Sequence, residues 1–349
     1  MKAKNVSSIS IMSKRKTEHI EISLEKDVSF RDLTAGFEKY RFIHQALPEM
    51  DLDQVDTGVS LYGKHLSVPL LISSMVGGVD EATVINRNLA EAAQSLGLAM
   101  GVGSQRCAIE DPSAVPSFQV RDVAPDILLF ANVGAVQLNY GFGPDQCRRA
   151  VDMIEADALF LHLNPLQEAI QHEGNTRFDG LLKKIESLCR SLSVPVIAKE
   201  VCFGISETAA RQLADAGVSG IDVAGAGGTS WSQVEKYRSL SKSAYDVADT
   251  FASWGIPTAD SVVMAKRGAP DLPVIASGGI RTGIDAAKAV ALGASAAGIA
   301  LPLLKAACES PEAVQGALRE IIETFRIAMF CSGVRNIAAL QKTELIKTM

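Results

Sequence analysis

The chain has 349 residues, 47% of them hydrophobic and 21% charged, enough to bury the core of one α/β barrel with extensions. Its formal net charge of -6 excludes a nucleic-acid binder that works through overall positive charge, so any anionic ligand must be met by local groups. No apolar run reaches the length of a membrane span, and the N-terminus lacks the apolar block of a secretory signal. The six cysteines form no CxxC pair or metal-finger spacing, which suits reduced thiols in a cytoplasmic protein.

In chain order, Met1 to Ser13 is polar and rich in small residues and is expected to be a disordered leader, with a transit peptide as the alternative. Residues 14–349 form one domain, in which 14–67 is a more charged N-terminal extension that should lie across a barrel spanning 68–349. The extension begins with the basic cluster Arg15-Lys16-Thr17-Glu18-His19, which on charge alone reads as a solvated face.

From Val68 onward, short aliphatic runs end in small polar residues and are followed by Ala/Leu/Glu-rich helical stretches, the pattern of βα units. Eight runs are found: Pro69–Ser73, Leu98–Val102, Ile127–Asn132, Ala158–Leu163, Pro195–Lys199, Gly220–Val223, Pro273–Ala276 and Ala296–Ile299. Eight units predict a closed α/β architecture, the TIM (β/α)8 barrel. The alternative, an open doubly wound sheet, lacks its GxGxxG fingerprint here. Ser230 to Ala259 is longer than one helix needs and is expected to be a long loop after strand six, a lid or a decoration, carrying Trp231, Ser232, Gln233, Tyr237, Arg238 and Trp254.

Barrel enzymes keep their chemistry at the carboxyl ends of the strands. There, Ser277-Gly278-Gly279-Ile280-Arg281-Thr282-Gly283 and Ala300-Leu301-Pro302-Leu303 follow strands seven and eight, and predict a phosphate site built from glycine amides and a helix N-terminus. Ser73-Ser74-Met75, Ser104, Asn132, Lys199 and Gly227-Gly228-Thr229 supply hydroxyl, amide and ammonium groups for the edges of a flat heterocycle, with Lys199 suited to a flavin's N1 and O2.

The fourth run leads into His162-Leu163-Asn164-Pro165-Leu166-Gln167-Glu168. His162 and Asn164 alternate with leucines, so both should point into the barrel mouth. Glu168 is a hard oxygen ligand suited to Mg²⁺ held partly by substrate phosphate.

Arg15-Lys16-x-x-His19, Ser104-Gln105-Arg106, HLNPLQE, Gly227-Gly228-Thr229-Ser230-Trp231 and SGGIRTG occur together and in order, and by them the chain resembles the type 2 isopentenyl-diphosphate isomerases over nearly its whole length. The resemblance implies an FMN enzyme that interconverts isopentenyl and dimethylallyl diphosphate with Mg²⁺, a reduced nicotinamide (NADPH) bringing the flavin to its working state. It implies that Ser73, Ser74, Met75, Ser104, Asn132, Lys199, Thr229, Gly279, Ile280, Arg281, Ala300 and Leu301 hold FMN. Arg15, Lys16, His19, Ser104, Gln105, Arg106, Asn164 and Gln167 would bind substrate, with His162 and Arg106 neutralising the diphosphate. Gln167 and His162 would be the catalytic side chains beside a flavin acting as acid and base, and Glu168 the metal ligand. A homo-oligomer, tetramer or octamer, is implied as well.

The chain departs from the family in two places. Ser73-Ser74-Met75-Val76 stands where Thr-Gly-Met-Thr is frequent, and Gln171-His172-Glu173-Gly174-Asn175 where Gln-Pro-Glu-Gly-Asp is frequent, leaving His172 either a ligand group or a change in loop rigidity. The other readings are an FMN-dependent 2-hydroxyacid oxidase, which needs a His base after strand six where Ala224 to Thr229 has none, and a flavin-binding barrel without turnover.

Overall fold

The computed structural model describes the backbone of residues 2–348 and the side chains of residues 14–348. The leader expected over residues 1–13 therefore lies outside the described side chains.

Eight parallel strands close into a barrel. They are β1 (Leu70–Ile72), β2 (Ala99–Gly101), β3 (Leu129–Gly134), β4 (Ala158–Leu163), β5 (Val196–Glu200), β6 (Gly220–Asp222), β7 (Val274–Ser277) and β8 (Ala296–Ile299). All eight expected runs are strands, although β3 begins and ends two residues later than its apolar run. β6 pairs with β7 and β8 with β1, so no edge is left open.

Alternation along the strands explains why chemistry sits at one end. Leu71, Phe130, Phe160, Ile197 and Ile275 face the barrel axis and pack together, whereas Leu70, Leu129, Leu159, Leu161 and Ala198 face the surrounding helices. Two residues further along the inward phase the side chains become Ser73, Asn132, His162, Lys199, Asp222 and Ser277. An apolar layer thus supports a polar one. Phe130 and Phe160 are fully buried and stack at 4.3 Å, each contributing about 2–3 kcal/mol of burial.

The helices form as the sequence dictates. Asp80–Leu96 has acids in its first turn, buries Ala82, Ile85, Leu89 and Ala93 on one face, and stops at Gly97, whose φ of 63° is the left-handed conformation of a helix end. Gly283–Ala291 starts with a capping box between Thr282 and Asp285.

The extension works at both ends of the barrel. A hairpin of Val59–Leu61 and Lys64–Leu66 closes the amino-terminal end: Leu61 and Leu66 join the inner apolar layer, and Tyr62 at the turn donates to the carbonyl of Ser219 at 3.3 Å. Helix α1 (Lys2–Glu25) instead contributes Arg15, Lys16, His19 and Ile20 to a cavity at the carboxyl end. Val28 to Phe30 is stitched beside Gly228 to Ser230 by backbone hydrogen bonds.

The segment 230–259 is not a plain loop. It folds into α2 (Trp231–Tyr237) and α3 (Lys242–Thr250) before the helix Thr258–Gly268. Ser232, Gln233, Glu235 and Lys236 of α2 are buried, so the helix is packed into the domain. Trp254 is 59% exposed, and of the six side chains expected over a ligand only Trp231 reaches the cavity. Among the described residues, no helix is long and apolar enough to cross a membrane.

Candidate active site

A cavity of about 520 Å³ opens at the carboxyl ends of the strands. Ser73, Ser74, Met75, Ser104, Arg106, Asn132, His162, Asn164, Gln167, Glu168, Lys199, Thr229, Gly279, Ile280, Arg281, Ala300 and Leu301 line it together with Arg15, Lys16 and His19. Groups separated by more than 280 residues thus face one space.

Gln105 is the exception among the expected site residues. It is fully buried and absent from the cavity wall; its Nε2 donates to the carbonyl of Ala150 and its Oε1 accepts from the N–H of Asn132, both at 2.8 Å. It braces β3 against a neighbouring helix and binds nothing from the cavity. Its amide, flanked by Ser104 and Arg106 in the sequence, carried no sign of this inward turn.

The heptapeptide after β4 folds as the short helix Pro165–Ile170, with proline at its first position, where no backbone donor is lost. That turn brings Asn164, Gln167 and Glu168 to one side. Asn164 Nδ2 donates to both Gln167 Oε1 and Glu168 Oε1 at 3.0 Å. Glu168 Oε2 accepts from Gln171 Nε2 at 3.2 Å and from the N–H of Asn175 at 2.5 Å. His172 is exposed, with its ring 4.0 Å from Glu173, and does not reach the cavity.

His162 is fixed by a different partner. Its Nδ1 lies 2.8 Å from Asn132 Oδ1, while Asn132 Nδ2 donates to the carbonyl of Val102. The amide oxygen can only accept, so His162 carries its proton on Nδ1 and its Nε2 lone pair remains. Burial, with Lys16 and Lys199 nearby, pushes its pKa down to about 3. His162 is held towards its neutral form here, so to neutralise a diphosphate by charge it would first have to take up a proton. Arg106, the other group given that task, lines the cavity but pairs with Glu110 one turn along its helix at 2.8 Å.

Helix α1 meets the site through a hydrogen bond and ion pairs. Lys16 Nζ donates to the carbonyl of Ser104 at 3.3 Å, and Arg15 lies 3.7 Å from Glu173. Burial lowers the pKa of both cations. Arg238 joins the elements, contacting Glu18 of α1 at 3.0 Å, Glu173 at 3.1 Å and Glu235 at 2.6 Å.

Glu235 escaped the sequence reading. It is buried in α2, and its Oε1 accepts from Gln167 Nε2 and lies beside His19 Nε2, both at 3.1 Å. Burial alone would raise its pKa, but His19, Arg238 and Gln167 hold it at about 2. Trp231, four residues earlier, packs edge-on against His19 at 4.9 Å. A glutamate inside Trp231–Tyr237 gives no one-dimensional sign of two partners, His19 and Gln167, from distant segments.

Comparison with known proteins places this geometry. A model of the FMN-dependent dehydrogenases matches residues 10–121 and 148–347. An isopentenyl-diphosphate delta-isomerase of Nostoc sp. is 52% identical over 335 residues, 96% of each chain. One from Synechocystis sp. is 53% identical over 331 residues, 95% of each. The chain belongs to the isopentenyl-diphosphate delta-isomerase family.

The chain shares its fold with two further proteins of known structure. A lactate oxidase of Pediococcus acidilactici matches with a TM-score of 0.67 at 14% identity, covering 99% of this chain and 94% of that one. A flavocytochrome b2 variant matches at 0.66 and 18%, covering 94% and 82%. At those identities the likeness speaks for the fold alone.

The isopentenyl-diphosphate delta-isomerase family's FMN fits the residues present. Ser73 Oγ and Ser74 Oγ are buried without a partner and belong to the cavity wall, so both ask for one. Gly228 leaves the backbone bare where a Cβ would run into the N–H of Gly279, and the helix Leu301–Glu309 starts without a side-chain cap; Pro302 has no N–H and Leu303 already donates to the carbonyl of Ala300, so the N–H of Leu301 is the donor its first turn offers an anion. A hard cation fits as well. Asn164 Oδ1, beside Glu168, is the third buried oxygen without a partner. Among the described residues no three His, Cys, Asp or Glu side chains converge, so a cation here would draw its other ligands from phosphate and water.

Proposed function

We propose that the chain interconverts isopentenyl and dimethylallyl diphosphate. The observation that carries this reading is that Arg15, Lys16 and His19 of α1 face the same cavity as the Asn164–Gln167–Glu168 cluster and the glycine-rich wall of Gly228 and Gly279. Relatives bearing the isomerase name, at about half identity over nearly the full chain, support it. The absence of a His from Ala224 to Thr229 speaks against the 2-hydroxyacid oxidase reading.

Moving the double bond adds a proton at one carbon and removes one at another, through an electron-poor species and without net oxidation. FMN, once reduced by NADPH, would supply an electron-rich, proton-exchanging ring; Ser73, Ser74, Lys199, Gly279 and the start of Leu301–Glu309 would hold it. Mg²⁺ at Glu168 and Asn164 would offset diphosphate charge. The remaining work falls to side chains. Arg15 and Lys16 bind the diphosphate as cations, aided by the low dielectric of a closed site. His162 offers a lone pair at Nε2 and must take up a proton before it can donate to an anion. Gln167, oriented by Glu235 and Asn164, presents a neutral amide that can steady the hydrocarbon end without quenching positive charge. A homo-oligomer, tetramer or octamer, accompanies the reading.

Purified protein incubated anaerobically with FMN, Mg²⁺, NADPH and isopentenyl diphosphate in D₂O should yield deuterated dimethylallyl diphosphate. Absence of product under reducing conditions would sink the proposal.

A further inference from the structure

Beneath the cavity lies a charge that the reading above does not use. Lys199 Nζ is 2.8 Å from Asp222 Oδ2 and 3.4 Å from Ser277 Oγ. Ser277 Oγ donates to Asp222 Oδ1 at 2.5 Å, and the N–H of Ala224 donates to the same oxygen at 3.2 Å. The three side chains come from adjacent strands: Lys199 on β5 stands directly opposite Asp222 on β6, and Ser277 lies two residues past Ile275, the β7 partner of Asp222.

Burial divides them. Lys199 and Ser277 line the cavity, but Asp222 is fully buried and does not. Below Lys199 is the ring of Phe160, whose centroid is 5.8 Å from Nζ, so no water competes from that side. A molecule in the cavity meets the ammonium and never the carboxylate that balances it. A cation beside a flavin stabilises the negative charge gained on reduction, while a balanced ion pair does so far less. Ser277 and Ala224 fix the carboxylate so that it stays aimed at Lys199.

We propose that Asp222, without touching the cofactor, is the positioning residue that sets the effective charge of Lys199, lowering the reduction potential of bound FMN and keeping the reduced ring electron-rich. This rests on the FMN reading. It also gives that reading a physical purpose: a ring that must bind and release protons, with no net electron transfer, benefits from basicity more than from easy reduction.

The test measures the midpoint potential of FMN on the full-length protein by spectroelectrochemistry, after a fluorescence titration establishes that FMN binds. Asp222→Asn should favour reduced over oxidised FMN at least about tenfold relative to wild type, a rise of about 30 mV for a two-electron couple. Lys199→Met should shift the ratio about tenfold the other way. The double variant Lys199→Met with Asp222→Asn replaces the pair by neutral side chains, leaves no buried charge unmatched, and should return to within about threefold of wild type. An unchanged potential in FMN-loaded Asp222→Asn, or a double variant that behaves like Lys199→Met alone, overturns the proposal while leaving the cofactor reading intact. Failure of the wild-type chain to bind FMN overturns both. If Asp222→Asn does not fold, the comparison of the double variant with Lys199→Met decides.

Discussion

Gln167 Nε2 donates to Glu235 Oε1 across 3.1 Å, tying the short helix after β4 to the helix after β6. A carboxylate only accepts, so this contact dictates which end of the Gln167 amide faces Asn164 and which faces Glu235. Glu235→Gln removes that dictation, since two amides can pair either way round. Isomerase turnover should fall about a hundredfold, the usual effect of a misplaced group, with FMN absorbance unchanged. Turnover within a few-fold of wild type would show that Gln167 is held by Asn164 alone.

Glu168→Gln keeps the shape of the side chain but removes its charge. The Mg²⁺ concentration for half-maximal activity should rise at least about tenfold while the flavin spectrum stays as it was. Loss of FMN instead would make Glu168 a brace of the flavin wall through Asn175 and Gln171.

The His162 imidazole, ordinarily near 6.5, is pushed down to about 3 by burial and by Lys16 and Lys199. Between those values the unfolded chain binds a proton that the folded chain does not. The stabilisation is present above about pH 6.5 and is lost as pH falls towards 3. Going from about pH 7 to pH 5, ligand-free wild type should lose up to about 2 kcal/mol relative to His162→Gln, measured by urea unfolding. Parallel pH profiles would show that His162 titrates normally.

Glu200, at the end of β5, behaves in the opposite sense. Its carboxyl is raised to about 7 by burial, even though Oε2 accepts the N–H groups of Val201, Cys202 and Phe203. Here the folded chain holds a proton that the unfolded chain has released, so stability is present below about pH 4.5 and declines as pH rises through 7. Glu200→Gln should gain on wild type by at most about 3 kcal/mol between about pH 5 and pH 8. A gain towards acid would reverse the assignment.

Gly278 adopts a φ of 103°, and a methyl there would overlap the carbonyl oxygen of Gly225. Gly278→Ala should cost about 3 kcal/mol or more and release FMN, read by thermal unfolding and flavin fluorescence. A stable variant that retains the flavin would show that the loop can shift to make room.

Most of the barrel was legible because its strands are written in short apolar runs whose inward phase ends in polar residues. Ser73, Asn132, His162, Lys199 and Ser277 all sit in that phase, and Asp222 occupies it too. It passed unnoticed because an acid two residues into Gly220–Asp222 looks like the end of a strand rather than the partner of Lys199. Glu235 and the inward role of Gln105 were illegible for another reason: their partners are contributed by segments remote in the chain, and no periodicity encodes them. The helices of segment 230–259 were missed because its aromatic and polar mixture resembles a loop until Val234 and Glu235 are seen to be buried.

The layer of Leu71, Phe130, Phe160, Ile197 and Ile275, joined from below by Leu61 and Leu66 of the hairpin, makes a blind well of the cavity. Whatever touches Lys199 and Ser73 sits deeper than whatever touches Arg15 at the rim, and both must pass the same mouth. Occupancy is then last in, first out. A group held at the floor would then stay while guests above it come and go.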